Sequence, residues 1–194
     1  MSKKMRNVVI ITLLVGLVVV YFYYLTVNSK STSAKNTAEE VDEVEKLINK
    51  DLDESYPKTP REVVKMYSRI ISTFYNETYN EDEKKLLAVQ AQKLMDNELL
   101  EHNEYEEYYK DLCEDIEEYK ENNRKISSYK LDSSSDVEYK TFKERKYAFI
   151  KCTYYTKGKE GTSKVPEQYV LRQDEDGRWK ILFWKLINED EEDE

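Results

Sequence analysis

The chain has 194 residues, 31 Lys and Arg against 40 Asp and Glu, and a formal net charge of -9. That length fits one domain with an appendage. Four Gly and three Pro are too few for a collagen-like or Pro/Gly-rich disordered chain, and the acidic balance argues against a nucleic-acid partner, which needs a basic surface to neutralise phosphates.

The first segment in chain order is the most sharply defined. No charge falls between Arg6 and Lys30, and residues 8–27 are apolar apart from Thr12, Gly16 and Thr26. Twenty helical residues reach about 30 Å, the thickness of a hydrocarbon core. The expectation is a transmembrane helix over 8–27, with the lipid bilayer as its partner. Lys3, Lys4 and Arg6 make residues 1–7 a basic cytoplasmic end and send the rest outside the cell membrane. Tyr21 to Tyr24 supply an aromatic cluster at the outer interface. A cleaved signal peptide would have a shorter apolar core and a small-residue cleavage site; this run is long and ends in aromatics.

Residues 28–55 read as a polar stalk followed by a short amphipathic helix over 38–50, carried by Val41, Val44, Leu47 and Ile48. Tyr56-Pro57-Lys58-Thr59-Pro60 breaks it and opens an extracytoplasmic domain over 56–188. Thr59, Pro60 and Glu62 form a strong helix start, and Val63, Tyr67, Ile70 and Phe74 carry its apolar stripe to about residue 77. Asn80 and Glu83 start the next helix, whose buried side is expected to hold Leu86, Leu87, Val89, Leu94 and Met95. A third helix spans about 103–122 on Tyr105, Tyr108, Tyr109, Leu112, Ile116 and Tyr119. The many Glu on its other faces read as a solvated surface, because no Ca²⁺ loop pattern accompanies them.

From Ile126 the period changes to two. Strands are expected over 126–131, 136–142, 146–157, 164–173 and 178–187, with hairpins at Lys157–Thr162 and Asp174–Gly177. Helices followed by antiparallel strands indicate an α+β fold, three helices packed on an antiparallel sheet. Residues 189–194 are all acidic and read as a disordered tail.

The order of elements, with Asp176-Gly177-Arg178-Trp179-Lys180-Ile181 near the end, resembles the nuclear transport factor two-like (SnoaL-like) superfamily. That resemblance implies a cone-like domain with a curved sheet wrapped around helices. The run from Tyr56 to Arg69, with Ile126-Ser-Ser-Tyr-Lys and the Trp179 strand, is similar to an uncharacterised family of small membrane-anchored proteins of Gram-positive bacteria. One span plus an outer cone also resembles the bitopic scaffold subunits of type IV secretion and conjugation machines, an analogy of architecture that does not fix function.

Residues able to carry chemistry are few. His102 is the sole histidine and stands at a helix junction without an evident orienting partner, so no catalytic residue is assigned. One His and two Cys without metal-ligand spacing point to no metal and no cofactor. Cys113 and Cys152 both sit on apolar stripes; a disulfide between them and two buried thiols fit the pattern equally. Asn76-Glu77-Thr78 matches a glycosylation sequon.

The 17 tyrosines admit two readings, a core with hydroxyls at its rim or a cone pocket for an amphipathic ligand. The pocket reading singles out Tyr67, Tyr109, Tyr154 and Trp179. In the last strand, alternation sends Trp179, Ile181 and Phe183 to one side and Leu182, Trp184 and Leu186 to the other. A strand apolar on both faces must be covered on both, so the Leu182/Trp184/Leu186 face is expected to serve self-association or an envelope protein partner. The expected role is a single-pass, membrane-anchored binding or scaffolding protein, with a small-ligand binder or enzyme using the cone interior as the alternative. A scaffold should have an exposed apolar sheet face and a filled interior, and an enzyme an open interior holding a perturbed acid.

Overall fold

The computed structural model describes residues 42–187. The expected span at 8–27, the stalk up to residue 41 and the acidic tail at 189–194 lie outside them. Among the described residues no helix is long and apolar enough to cross a membrane.

Helix α1 (Glu43–Ile48) is capped by Asp42, whose carboxylate accepts from the Val44 N–H at 3.2 Å. Val44, Leu47 and the following Leu52 are each 1% exposed and join the main core. The packed unit therefore begins at Asp42 and takes in residues 42–55, which the sequence places on the stalk side of Tyr56. The physical reason is that three large aliphatic side chains have their apolar partners in the helices that follow.

Helix α2 (Pro60–Asn76) opens with the expected capping box. The Glu62 N–H donates to Thr59 Oγ1, and the Glu62 carboxylate accepts from the Thr59 N–H. Its buried face includes Val63, Val64, Tyr67, Ile70 and Phe74. Helix α3 (Glu81–Gln92) starts on Asn80 and Glu83 in the same way. Its buried side is Leu87, Ala88 and Ala91, continued by Leu94, whereas Leu86 and Val89 are exposed. The sequence reading of that helix thus holds for Leu87, Leu94 and Met95 and fails for Leu86 and Val89. The buried stripe follows the small alanines, which allow close approach to α2.

Helix α4 (Asn97–Glu101) has five residues, too few to show a period in the sequence. Helix α5 (Tyr105–Glu121) buries Leu112 and Ile116.

The strands are β1 (Lys125–Leu131), β2 (Glu138–Phe142), β3 (Arg145–Gly158), β4 (Gly161–Gln173) and β5 (Trp179–Leu186). They form one antiparallel sheet in the order β1-β3-β4-β5. β2 also pairs with β3, beside its first half, while β1 pairs with its second half. The two-residue turn Lys143-Glu144 between β2 and β3 has both residues at positive φ, the geometry of a type I′ hairpin made without glycine. The fold is therefore α+β, with helices packed on an antiparallel sheet, as expected.

One ion-pair cluster ties α4 to this sheet. The Arg172 guanidinium of β4 donates to both carboxylate oxygens of Asp96 and, at 2.8 Å, to Glu98. Asp96 also caps α4 by accepting from the Glu98 N–H at 2.9 Å, while its own N–H donates to the Ile181 carbonyl at 2.8 Å. The Asp96 side chain is 5% exposed. Removing its cation leaves a buried charge uncompensated, a loss of about 3–5 kcal/mol. Arg172→Ala should lower the unfolding free energy by that order in a urea titration, and a change under about 0.5 kcal/mol would contradict the assignment.

Candidate functional site

The sheet-facing side of α2 and the tyrosine stripe of α5 leave a cleft of about 300 Å³ against β1, β3, β4 and β5. Leu112 and Ile116 are the buried residues of α5, and Tyr108 and Tyr119 on the same stripe are half-buried and line the opening. Tyr67 and Tyr75 of α2 form the facing wall. Tyr75 and Tyr119 stack with centroids 4.0 Å apart.

A chain of buried hydrogen bonds crosses the sheet side of the cleft. The Tyr169 hydroxyl donates to Glu167 Oε2 at 2.7 Å. With that proton committed, Tyr169 can only accept from Tyr154, 3.0 Å away. By the same reasoning Tyr154 accepts from Ser68 of α2 at 2.8 Å, and Ser68 accepts from the Cys152 thiol at 3.6 Å. All five side chains are thereby ordered in one direction, toward the carboxylate.

Glu167 lies on β4 in phase with Tyr169 and Leu171, the inward positions. Burial pushes its carboxyl above the usual range, opposed only by the Tyr169 hydrogen bond. Burial likewise holds Tyr67, Tyr154 and Tyr169 well above an ordinary phenol, so they stay neutral. Asp115 of α5 also lines the cleft and is raised by burial and then by the neighbouring Glu118. The Tyr108 hydroxyl is buried at the cleft without a hydrogen-bond partner.

The structure brings together some of the expected site residues and separates others. Tyr67 and Tyr154 line the cleft. Tyr109 points elsewhere: it stacks on Tyr105 at 5.8 Å and donates to Glu81. Trp179 lies at the other end of β5, edge-on to Tyr139 at 5.8 Å, and its carbonyl accepts from the Tyr56 hydroxyl at 2.9 Å.

The Leu182/Trp184/Leu186 face does not form as expected. Leu171 pairs with Ile181 and Val170 with Phe183, so Leu182 is an extra residue, a β-bulge. The bulge reverses the alternation beyond it. Trp184 pairs with Tyr169 and packs on Tyr67 at 5.6 Å, and so joins the same side as Trp179 and Ile181. It forms part of the cleft wall at 37% exposure, while Phe183 on the opposite side is 44% exposed. Leu186 remains 63% exposed beyond the cleft.

Cys113 and Cys152 are free thiols rather than a disulfide. Cys152 is buried on β3 beside Ser68, and burial pushes its thiol up to about 11. The Asn76 side-chain amide donates to the Ile126 carbonyl at 2.7 Å and accepts from the Ile126 N–H at 2.9 Å. That amide is already in use, tying α2 to β1, which removes the sequon reading. His102 is exposed at the end of α4 and takes no part in the cleft. Among the described residues no group of three or more His, Cys, Asp or Glu converges to hold a metal ion.

Glu167 is the site residue that sequence reasoning passed over. Its signal was present: Val165, Glu167, Tyr169 and Leu171 alternate on one face of β4, and a carboxylate in that series has no apolar explanation.

The raised carboxyl has a stability consequence. The folded state holds the Glu167 proton more tightly than the unfolded chain does, so its favourable contribution is complete at low pH and is lost as pH rises through the folded-state pKa. Glu167→Gln keeps the neutral form at every pH. Its melting temperature should match the wild type near pH 4 and exceed it near pH 7; a lower value at pH 7 would contradict the buried placement.

A family model described as a domain of unknown function (DUF6715) matches residues 1–184. No curated protein matches the chain.

Proposed function

The chain belongs to the DUF6715 family, and within it we propose a membrane-tethered, extracytoplasmic binding module that takes a small ligand in the tyrosine-lined cleft. The observation that carries this is an opening of about 300 Å³ between helices and sheet that holds a half-buried carboxyl and an unpartnered hydroxyl. A domain that served only as a scaffold has no use for an unfilled interior, since each missing contact lowers stability. Small-ligand sites have this form: concave, largely apolar, with a few convergent polar groups.

Tethering rests on residues 8–27 and the basic end before them. Its consequence is that the cleft samples ligands at the outer membrane surface. The full chain should stay with membranes after alkaline carbonate washing, and protease added to intact cells should digest the domain. Release by carbonate, or protection from protease, would overturn the tether.

Ligand binding is tested by saturation-transfer NMR of a fragment mixture against the full chain in detergent. Val165 lies half-buried at the cleft, so Val165→Trp should fill it while circular dichroism remains unchanged. Fragments that bind the wild type and are lost in that variant support the reading. If every binding fragment is retained in the variant, or none binds, the reading fails. A partner-docking role has its own support in exposed Phe142, Phe183 and Leu186.

A further inference from the structure

We infer that the ligand of the cleft is a small organic cation, an ammonium or quaternary ammonium group on an apolar body; this rests on the reading of the cleft as a ligand site. Glu167, Asp111 and Asp115 all line it, and no Lys, Arg or His does. A carboxylate or phosphate ligand would meet three acidic groups with no cation among the lining residues; Arg124 stands outside them, over the Tyr119 ring at 5.4 Å. A neutral ligand would fill the space but leave the half-buried Glu167 without a counter-charge, whereas Asp111 and Asp115 are exposed to water.

The acids do not converge as metal ligands among the described residues, so an inorganic divalent ion finds no oxygen shell. Asp111 and Asp115 lie one turn apart on α5, and Glu167 lies on β4. Tyr67, Tyr75, Tyr108, Tyr119, Tyr169 and Trp184 line the same cleft. Ring faces attract a cation through the quadrupole, Trp most strongly, and the attraction grows as the cation loses water. An organic cation satisfies both features at once: its charge meets dispersed carboxylates and ring faces, and its methyl or methylene groups occupy the apolar space. The buried Tyr108 hydroxyl adds an acceptor for an ammonium N–H.

Burial also makes the preference self-consistent. Burial drives Glu167 toward its neutral form, and the Tyr169 hydrogen bond opposes this only in part. A cation in the cleft supplies a further offset.

The test uses the full chain in detergent and three probes of one shape: choline, the neutral 3,3-dimethylbutan-1-ol and the anionic 3,3-dimethylbutyrate. The two indole N–H resonances report separately, Trp184 from the cleft wall and Trp179 from the far end of β5 as an internal control. Choline should shift Trp184 and leave Trp179 unmoved. It should bind about tenfold more tightly than the neutral alcohol, and the anion should not bind. Glu167→Gln and Asp115→Asn should each narrow the gap between choline and the alcohol; two variants are used because either alone could act through local packing. If the alcohol or the anion binds as tightly as choline, the cationic class is overturned while the cleft stands as a ligand site. If no probe moves Trp184, the cationic class is overturned too, and the fragment experiment decides the cleft independently.

Discussion

Docking of α2 across the sheet is the constraint from which the remaining geometry follows. Val63, Val64, Tyr67, Ile70 and Phe74 are buried there, at exposures of 3% or less. Burial of aliphatic and aromatic side chains of this size is worth roughly 1.5–3 kcal/mol each, so no other helix of the described unit anchors it as strongly. The same packing places Ser68 over Cys152 and Tyr154, and Tyr67 against Tyr169 and Trp184. One helix thus supplies the core and one wall of the cleft, and the site inherits its rigidity from the core.

The polar chain beneath the cleft is a second-order consequence with first-order cost. A hydroxyl or carboxyl taken from water without a partner is expensive, and here each donor is spent on the next acceptor until the chain ends on Glu167. The neutral phenols tolerate this arrangement because burial keeps their protons in place. Only Glu167 retains an ionisation that solution pH or a neighbouring charge can change. Structural economy and chemical responsiveness therefore coincide at one residue.

Much of the architecture was legible in the chain. Capping boxes at Thr59/Glu62 and Asn80/Glu83 located two helix starts to the residue, because a cap is a local hydrogen-bond device. The five strands lie within three residues of their expected bounds, since period-two alternation and glycine turns are local too. Helix α4 was not legible: five residues carry no period, and Asp96 is held by Arg172 from a distant strand. Of the site, Tyr67 and Tyr154 were legible; Glu167 shares a face with Tyr169 and Leu171, but only the packing of α2 and α5 over that face encloses it.

The sequence by itself determined the element types, their order, the α+β class and the acidic, tyrosine-rich character, all set by local spacing and composition. Tertiary structure decided which tyrosines meet and where the last strand faces. Tyr109 and Tyr154 look alike in a helical or strand stripe, yet only one lines the cleft. Trp184 changed sides because one extra residue at Leu182 shifts the register of β5 against β4. A bulge is an agreement between two strands, and neither strand encodes it alone.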